Sequence, residues 1–221
     1  MAAATLLALC SGPANADDDA TAQIATSGWS GIFVGLHAGH TWGTSTWDIG
    51  PGDGVITPNA DGFSGGALVG FNTQINRMVL GIEADITAGD MQVGPADFDV
   101  GGVQSAEIKS IATVRARLGY DIGDWMPFVT AGLGVADLEL FDSFSGGQNS
   151  DSQTLTGFVV GGGAESKLDG LLSTGSTGNL TGRVEYIYGN YGEAEFPFGS
   201  VPDPADLETH TLRAALIWRF N

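Results

Sequence analysis

Residues 111–135, IATVRARLGYDIGDWMPFVTAGLGV, contain two runs of alternating side chains joined by a short polar connector. In the first run Val114 and Leu118 share one face, whereas Arg115 and Arg117 share the other. Alternation with a period of two indicates β-strands, and two such runs around a short turn predict an antiparallel hairpin. Each run has the ~9–11 residues with which a tilted strand crosses a bilayer. Because the polar face combines arginine with glycine, we predict strands that turn apolar side chains to lipid and polar ones to a barrel lumen.

The composition argues against several classes of protein. Charged residues make up 15% of the 221 residues and 35 residues are glycine, which favours many strands and turns over a soluble helical protein. The formal net charge of −18 argues against a nucleic-acid partner, because the phosphates would be repelled. The sequence has no unbroken apolar segment of about 20 residues for a membrane helix. A chain of this kind that enters a membrane must therefore do so as a closed barrel.

The first residues are typical of a secretory signal peptide. An apolar core at residues 6–9 precedes the small-x-small cleavage pattern of residues 14–16, and an acidic run follows. We therefore predict a signal peptide at 1–16, a disordered lead-in at 17–28 and an outer-membrane barrel over 29–221. The absence of Lys or Arg before the apolar core leaves open that the peptide begins further upstream. Cleavage would remove Cys10, the sole cysteine, and with it any thiol chemistry; a lipoprotein anchored at Cys10 is the weaker alternative.

The same alternation recurs along the chain and predicts eight strands. They lie at 29–42, 63–74, 78–87, the two runs within 111–135, 154–165, 180–188 and 210–220. Long polar loops are predicted at 43–61, 88–105, 141–152 and 190–206, and shorter connections at 76–77, 123–124 and 167–178. This asymmetry is typical of an outer-membrane barrel whose N-terminus is periplasmic. The predicted fold class is all-β, an eight-stranded antiparallel transmembrane up-and-down β-barrel closed by its first and last strands.

Charged residues of the predicted strands concentrate on the faces opposite the apolar ones. The set is Glu83, Asp85, Lys109, Arg115, Arg117, Glu165, Arg183, Glu185 and Arg213. An arginine facing lipid near the midplane costs about 2–4 kcal/mol, and an eight-stranded barrel is only just wide enough for its interior side chains to fill it. We therefore predict a salt-bridge network that closes most of the lumen and stiffens the barrel. A narrow conducting channel is the alternative, favoured by small inward residues such as Gly35 and Gly132.

Aromatic residues near the strand ends predict girdles at both membrane interfaces, where rings prefer the headgroup region. The set is Trp29, Trp42, Trp47, Tyr120, Trp125, Tyr188, Tyr191, Trp218 and Phe220.

Catalysis and cofactor binding have little support in the sequence. The three histidines, His37, His40 and His210, are accompanied by neither a Gly-x-Ser-x-Gly motif nor metal-ligand spacing. A His/Ser esterase pair and haem capture are minor alternatives to polar side chains at the rim, so we predict no enzyme, no cofactor and no metal. The acidic loops are most simply a solvated exterior, and weak divalent-cation binding that bridges to lipopolysaccharide is a further alternative.

Five stretches resemble, in order, the small porin-family outer-membrane proteins of alphaproteobacteria. They are WSGIFVGLHAGHTWG at 29–43, VLGIEADI at 79–86, TVRARLGYDIGDWMPFVTAGLGVA at 113–136, GRVEYIYGNYG at 182–192 and LRAALIWRF at 212–220. The resemblance implies an eight-stranded barrel like the transmembrane part of OmpA, exposed at the surface, often immunogenic, with porin or structural roles. The chain departs from the family pattern at Asn221, which follows the terminal aromatic residue, and in the longer connector at 167–178.

The sequence thus predicts a structural or porin-like protein of the bacterial outer membrane. Its expected partners are outer-membrane lipid, lipopolysaccharide and the barrel assembly machinery, with a monomer favoured. One alternative is a surface adhesin or a ligand-binding barrel, for example for haem. A soluble lipocalin-like carrier is the third reading, and it would place the apolar residues inside and the charges outside.

Overall fold

The described part of the chain forms one antiparallel sheet that closes on itself. A computed structural model describes residues 28–48, 55–56, 59–97, 103–142, 149–168, 179–196 and 203–220. Its strands are β1 (Gly31–Asp48), β2 (Val55–Ile56), β3 (Asn59–Ile75), β4 (Met78–Asp97), β5 (Val103–Tyr120), β6 (Trp125–Asp142), β7 (Asn149–Lys167), β8 (Asn179–Phe196) and β9 (Asp203–Phe220). The two-residue β2 pairs only with the end of β1. The other eight strands pair in chain order, and β1 also pairs with β9 from Ile32↔Phe220 to Trp47↔Ala205, which completes the ring. The predicted eight-stranded antiparallel barrel is confirmed.

Strand parity divides the side chains between the two faces of the wall as the sequence predicts. Leu36 and Leu133 point outward and are 70% and 71% exposed, whereas Arg115 points inward and is 0% exposed. Apolar residues therefore cover the outside and charged residues fill the inside, which is the reverse of a soluble lipocalin-like barrel. Within the described ranges, no helix has the length and hydrophobicity to cross a membrane.

The strands run further than the alternation of apolar residues indicates. The predicted loop at 43–61 is partly wrong, because β1 continues to Asp48 and β3 begins at Asn59. The predicted loops at 88–105, 141–152 and 190–206 are shortened in the same way at both ends. A backbone ladder needs no apolar side chains once it leaves the bilayer, because water can solvate both faces of a polar strand. The amphipathic pattern therefore ends before the hydrogen-bonded strand does.

The short connections lie together at the end of the barrel that also holds the beginning of β1 and the end of β9, which we call the short-turn end. Asn76 and Arg77 join β3 to β4, with Asn76 in the left-handed region at φ 56°. Gly123 takes φ 103° in the turn between β5 and β6, a conformation that glycine adopts at little cost. Both predicted turns are confirmed. The predicted signal peptide at 1–16, the lead-in as far as residue 27 and most of the connector at 167–178 lie outside the described residues.

Aromatic side chains ring the outer wall at two heights. Trp125, Tyr120 and Phe220 are exposed at the short-turn end. At the opposite end, neighbouring rings on β1, β9 and β8 follow one another, with Trp42 stacked on His210 at 5.9 Å between ring centroids. Neighbouring contacts extend this arc to Phe63, His40, Tyr186, Tyr188 and Phe158.

The prediction that Trp29 and Tyr191 belong to the outer aromatic girdles is wrong. Trp29 is 0% exposed inside the short-turn end, because it precedes β1 and the chain enters the barrel there. Tyr191 is also buried, because it shares the inward parity of Arg183 and Glu185 on β8. The side chain of Trp47 lies outside the described residues.

Candidate functional site: a filled, charged lumen

The charged side chains of the lumen come from five strands whose register sets opposite charges side by side. Glu83 on β4 pairs with Arg115 on β5, and Glu185 on β8 pairs with Arg213 on β9. Glu165 on β7 lies across from Arg183 in the same way. Because side chains directly across an antiparallel pair lie about 4.5–5.5 Å apart at Cβ, this register alone brings each pair together.

Arg115 lies at the centre of the network. Its Nη2 donates to Glu83 at 2.7 Å and to Asp85 at 3.0 Å, and its Nη1 donates to Glu185 at 2.6 Å. Its Nε donates to Thr113 Oγ1 at 3.1 Å and its Nη1 to Thr130 Oγ1 at 3.1 Å. All five guanidinium contacts are made inside the barrel, where low exposure to water strengthens each charge-assisted hydrogen bond.

Two further arginines connect the carboxylates to one another. Arg213 donates to Asp85 at 2.9 Å through Nη1 and to Glu185 at 2.9 Å through Nη2. Arg183 donates to Glu83 at 2.5 Å and to Glu165 at 3.1 Å. Each of the three carboxylates that Arg115 contacts therefore has a second arginine as well.

Glu165 forms a second centre, nearer the short-turn end. Arg117 Nη2 donates to its Oε2 at 2.6 Å, and Arg219 Nη2 donates to its Oε1 at 2.5 Å. Arg183 and the Thr181 hydroxyl also donate to it. The predicted network omits Arg219. This residue lies an even number of positions from Arg213 on the last strand and so shares its inward face, and that spacing would have identified it.

Lys109 is the one predicted network residue that the structure places elsewhere. It is the extra residue of a β-bulge, since Ile108 and Ser110 pair with the consecutive residues Leu138 and Asp137. A bulge reverses the parity of everything beyond it, so Ile108 is buried and Lys109 points outward. Its side chain is 44% exposed and its ammonium lies 2.8 Å from Glu107. The assignment of Lys109 to the lumen is therefore wrong.

Buried apolar side chains lie in the lumen on either side of the charges. Toward the end of the barrel opposite the short turns, the buried set is Met91, Ile108, Ile111, Ala136, Leu155, Val159, Ile187, Tyr191 and Leu207. We call this set the apolar layer. At the short-turn end, Trp29 packs with Val79 and Met126. Neither layer was predicted.

The Trp29 side chain is held in place from several directions. Its Nε1 donates to Asp121 Oδ1 at 3.1 Å, its carbonyl accepts from Arg219 at 2.9 Å, and the Lys167 ammonium lies 5.1 Å from its ring centroid. Burial alone would raise the pKa of Asp121, but hydrogen bonds from the Gly123 amide, Gln74 and Trp29 outweigh it and lower that pKa. The Trp29 side chain thus occupies the opening of the barrel at its short-turn end.

The three histidines do not form a common site. His37 lies in the lumen, 3.5 Å from Arg213. His40 is on the outer wall, where its Nε2 lies 3.0 Å from Asp61, and His210 lies there beside the Tyr186 hydroxyl at 2.6 Å. No group of three or more side chains able to bind a metal occurs among the described residues.

A closed antiparallel barrel with an apolar outer wall, aromatic girdles and a filled polar interior defines a transmembrane β-barrel. A profile of the family described as outer membrane protein beta-barrel domain matches residues 2–220. The chain belongs to this family and is an outer-membrane protein, as the sequence predicts.

Two relatives found by sequence similarity agree with this assignment. The 25 kDa outer-membrane immunogenic protein of Brucella abortus biovar 1 is 31% identical over 195 residues, which cover 87% of this chain and 79% of the relative. The 22 kDa outer membrane protein of Rhizobium leguminosarum bv. viciae is 30% identical over 173 residues, which cover 78% and 69%. The crystal structure of Neisserial surface protein A, 16% identical with a TM-score of 0.48, covers 86% of this chain and 98% of its own. The two relatives are named as outer-membrane proteins and not as enzymes.

Proposed function

We propose that the protein is a non-conducting structural barrel of the outer membrane, which holds its outer segments at the cell surface and catalyses no reaction. One observation supports this proposal: buried side chains lie at three successive levels of the described lumen. Trp29 and its neighbours occupy one mouth, the arginine–carboxylate network fills the middle, and the apolar layer follows. Ions crossing an apolar constriction would have to give up their hydration, which is costly.

Single-channel recording on the refolded mature chain tests the proposal. We expect no unitary current steps in planar bilayers across a range of salt concentrations. The triple variant Trp29→Ala, Arg115→Ala, Tyr191→Ala shortens one buried side chain in each of the three layers, so it is expected to show steps and to demonstrate that the protein has inserted. Leu133→Ala, on the outer wall, is the matched control and should stay silent. Reproducible unitary steps from the unaltered chain, scaling with salt, would contradict the proposal and favour the porin-like alternative.

A surface-antigen role is the second candidate, and the names of the relatives support it. Proteins of 25 and 31 kDa from Brucella are called outer-membrane immunogenic proteins. We propose that this chain is likewise accessible to antibodies on intact cells. Antiserum against the refolded barrel should label intact and permeabilised cells to a similar extent; labelling only after permeabilisation would rule out surface exposure.

Assembly is proposed to depend on the last strand. Phe220 ends β9 and faces outward at the short-turn end. We propose that the barrel assembly machinery recognises this residue, and that the finished barrel is a monomer surrounded by membrane lipid and lipopolysaccharide. Phe220→Ala should lower the amount of heat-modifiable barrel in the membrane, whereas Phe63→Ala, an exposed ring at the other end of the wall, should not. Equal amounts of the two variants would argue against recognition of Phe220.

A further inference from the structure

We propose that the lumen binds a small monovalent anion, of the size of chloride, beside Arg117. This ligand lies beyond the structural role proposed above. Three features of the lumen support this site: an excess of buried positive charge, the location of that excess near Arg117, and buried hydrogen-bond donors without a partner.

The described lumen holds more cations than anions. Its buried charged residues are Arg115, Arg117, Arg183, Arg213, Arg219, Glu83, Asp85, Glu165 and Glu185. Five arginines against four carboxylates leave a net charge of +1. An unbalanced charge in a low-dielectric interior is costly, so a bound anion would stabilise this arrangement.

The surplus lies at the short-turn end of the network. Three carboxylates, those of Glu83, Asp85 and Glu185, surround Arg115 and Arg213. Glu165, by contrast, is the only carboxylate of the described lumen that contacts Arg117 and Arg219, and it also contacts Arg183. The two Glu165 oxygens accept from four nitrogens of these arginines and from the Thr181 hydroxyl. A carboxylate offers about four lone-pair directions, so Glu165 has no acceptor left for a further donor.

Arg117 has two donors that nothing satisfies. Its Nε and Nη1 are buried and have no hydrogen-bond partner, and its side chain is 0% exposed. The face of the guanidinium is covered, because the Phe128 ring centroid lies 4.0 Å from Cζ. Buried guanidinium donors are nearly always bonded, so these two nitrogens indicate a small acceptor at the edge of the group.

Asn72 supplies another donor from the other side. It is buried, and neither its Nδ2 nor its Oδ1 has a hydrogen-bond partner. The register Asn72↔Gly81↔Arg117 places it two strands from Arg117 with a glycine between them. A Cβ at Gly81 would overlap the Asn72 amide oxygen, so the Asn72 amide lies over Gly81, in the direction of Arg117. A half-turn of this amide about χ2 exchanges its oxygen and nitrogen and aims Nδ2 at Arg117. With its amide turned in this way, Asn72 and Arg117 would both donate to an anion between them, and the anion would also neutralise the surplus charge. Water could pair with the same groups, but it would leave the charge in place.

Halide titration of the refolded, detergent-solubilised chain tests the site. We measure the temperature at which the barrel loses its folded electrophoretic mobility, first in sodium gluconate. Sodium chloride or sodium bromide then replaces the gluconate stepwise at constant ionic strength. We expect a saturable rise with either halide. Crystals grown in bromide should show an anomalous peak within contact distance of Arg117 Nε or Nη1.

Variants separate a bound anion from general salt effects. Arg117→Met removes the surplus charge and both donors, so the rise should disappear. Lys109→Met removes a cation from the outer wall and should keep it. If Arg117→Met does not fold, Asn72→Leu is used instead, and the halide concentration at half-saturation should increase about five-fold, the loss expected for one hydrogen bond. A wild-type chain equally stable in all three salts, or crystals with only water beside Arg117, would overturn the proposal.

Discussion

The replacement Arg115→Met tests whether the charged network stabilises the barrel. Arg115 is 0% exposed and donates to Glu83, Asp85 and Glu185. Methionine keeps most of the apolar stem but removes the charge. Breaking a buried ion pair by removing one partner typically costs about 3–5 kcal/mol.

The contacts that remain place the expected effect within that range. Glu83 keeps Arg183 at 2.5 Å, while Asp85 and Glu185 each keep Arg213 at 2.9 Å. No carboxylate is therefore left without a cation, and the net charge of the described lumen falls from +1 to 0. We expect the lower end of the range, a loss of about 3 kcal/mol in the free energy of unfolding.

Urea unfolding in lipid vesicles, followed by tryptophan fluorescence, measures this loss. Lys109→Met removes a cation whose side chain is 44% exposed, and it should change the free energy by less than about 0.5 kcal/mol. A double-mutant cycle of Arg115→Met with Glu185→Gln should give a coupling energy of about 0.5–3 kcal/mol, because the two side chains are in direct contact. If Arg115→Met is as stable as Lys109→Met, the network does not stabilise the barrel.

Three further predictions concern the wall and the mouth of the barrel. Leu133→Arg places a charge on the lipid-facing wall and should lower the free energy of unfolding in vesicles by about 2–4 kcal/mol, whereas Leu133→Ala should cost less. Gly132→Ala should cost about 1–3 kcal/mol in the same assay, since its methyl group would overlap a backbone carbonyl of β5; Gly162→Ala, which meets its neighbours at ordinary distances, should cost less than Gly132→Ala. Because the folded state lowers the pKa of Asp121, this carboxylate contributes stability above its unfolded pKa, and that contribution is lost as the pH falls below about 4. A pH series of unfolding midpoints should show this loss in the wild type, and Asp121→Asn should show less of it.

Most of the barrel can be predicted from the sequence because one physical rule acts on every strand. Lipid outside and a narrow lumen inside require period-two alternation, and a shift of one residue would turn each charge toward lipid. Arg115 and Leu133 could therefore be assigned to their faces from position alone. The ring closure follows as well, since an open edge in a membrane would leave backbone groups without hydrogen bonds.

The errors occur where that rule is interrupted or no longer applies. Lys109 lies at a bulge, and one extra residue in a strand leaves no mark in the composition of its neighbours. Trp29 lies before the first strand, so no parity governs it, and its burial depends on partners as distant in sequence as Asp121 and Arg219. Beyond the bilayer, backbone pairing determines where each strand ends. Polar side chains are compatible with this pairing but do not predict its extent.

The contrast between the interior and the exterior also bears on where a function can lie. Apart from the surplus charge and the unpaired donors of Arg117, the described lumen is explained by packing and charge in a barrel too narrow to hold a wide aqueous pore. The interior therefore leaves little freedom to specify a solute larger than the small anion proposed above. Loops outside a bilayer are in general under no such constraint, because they carry few of the contacts that hold a fold together and are where binding residues concentrate. A function that distinguishes this chain from other small barrels is consequently expected at the rim that joins its long strands, and recognition of the cell from outside fits that position better than transport does.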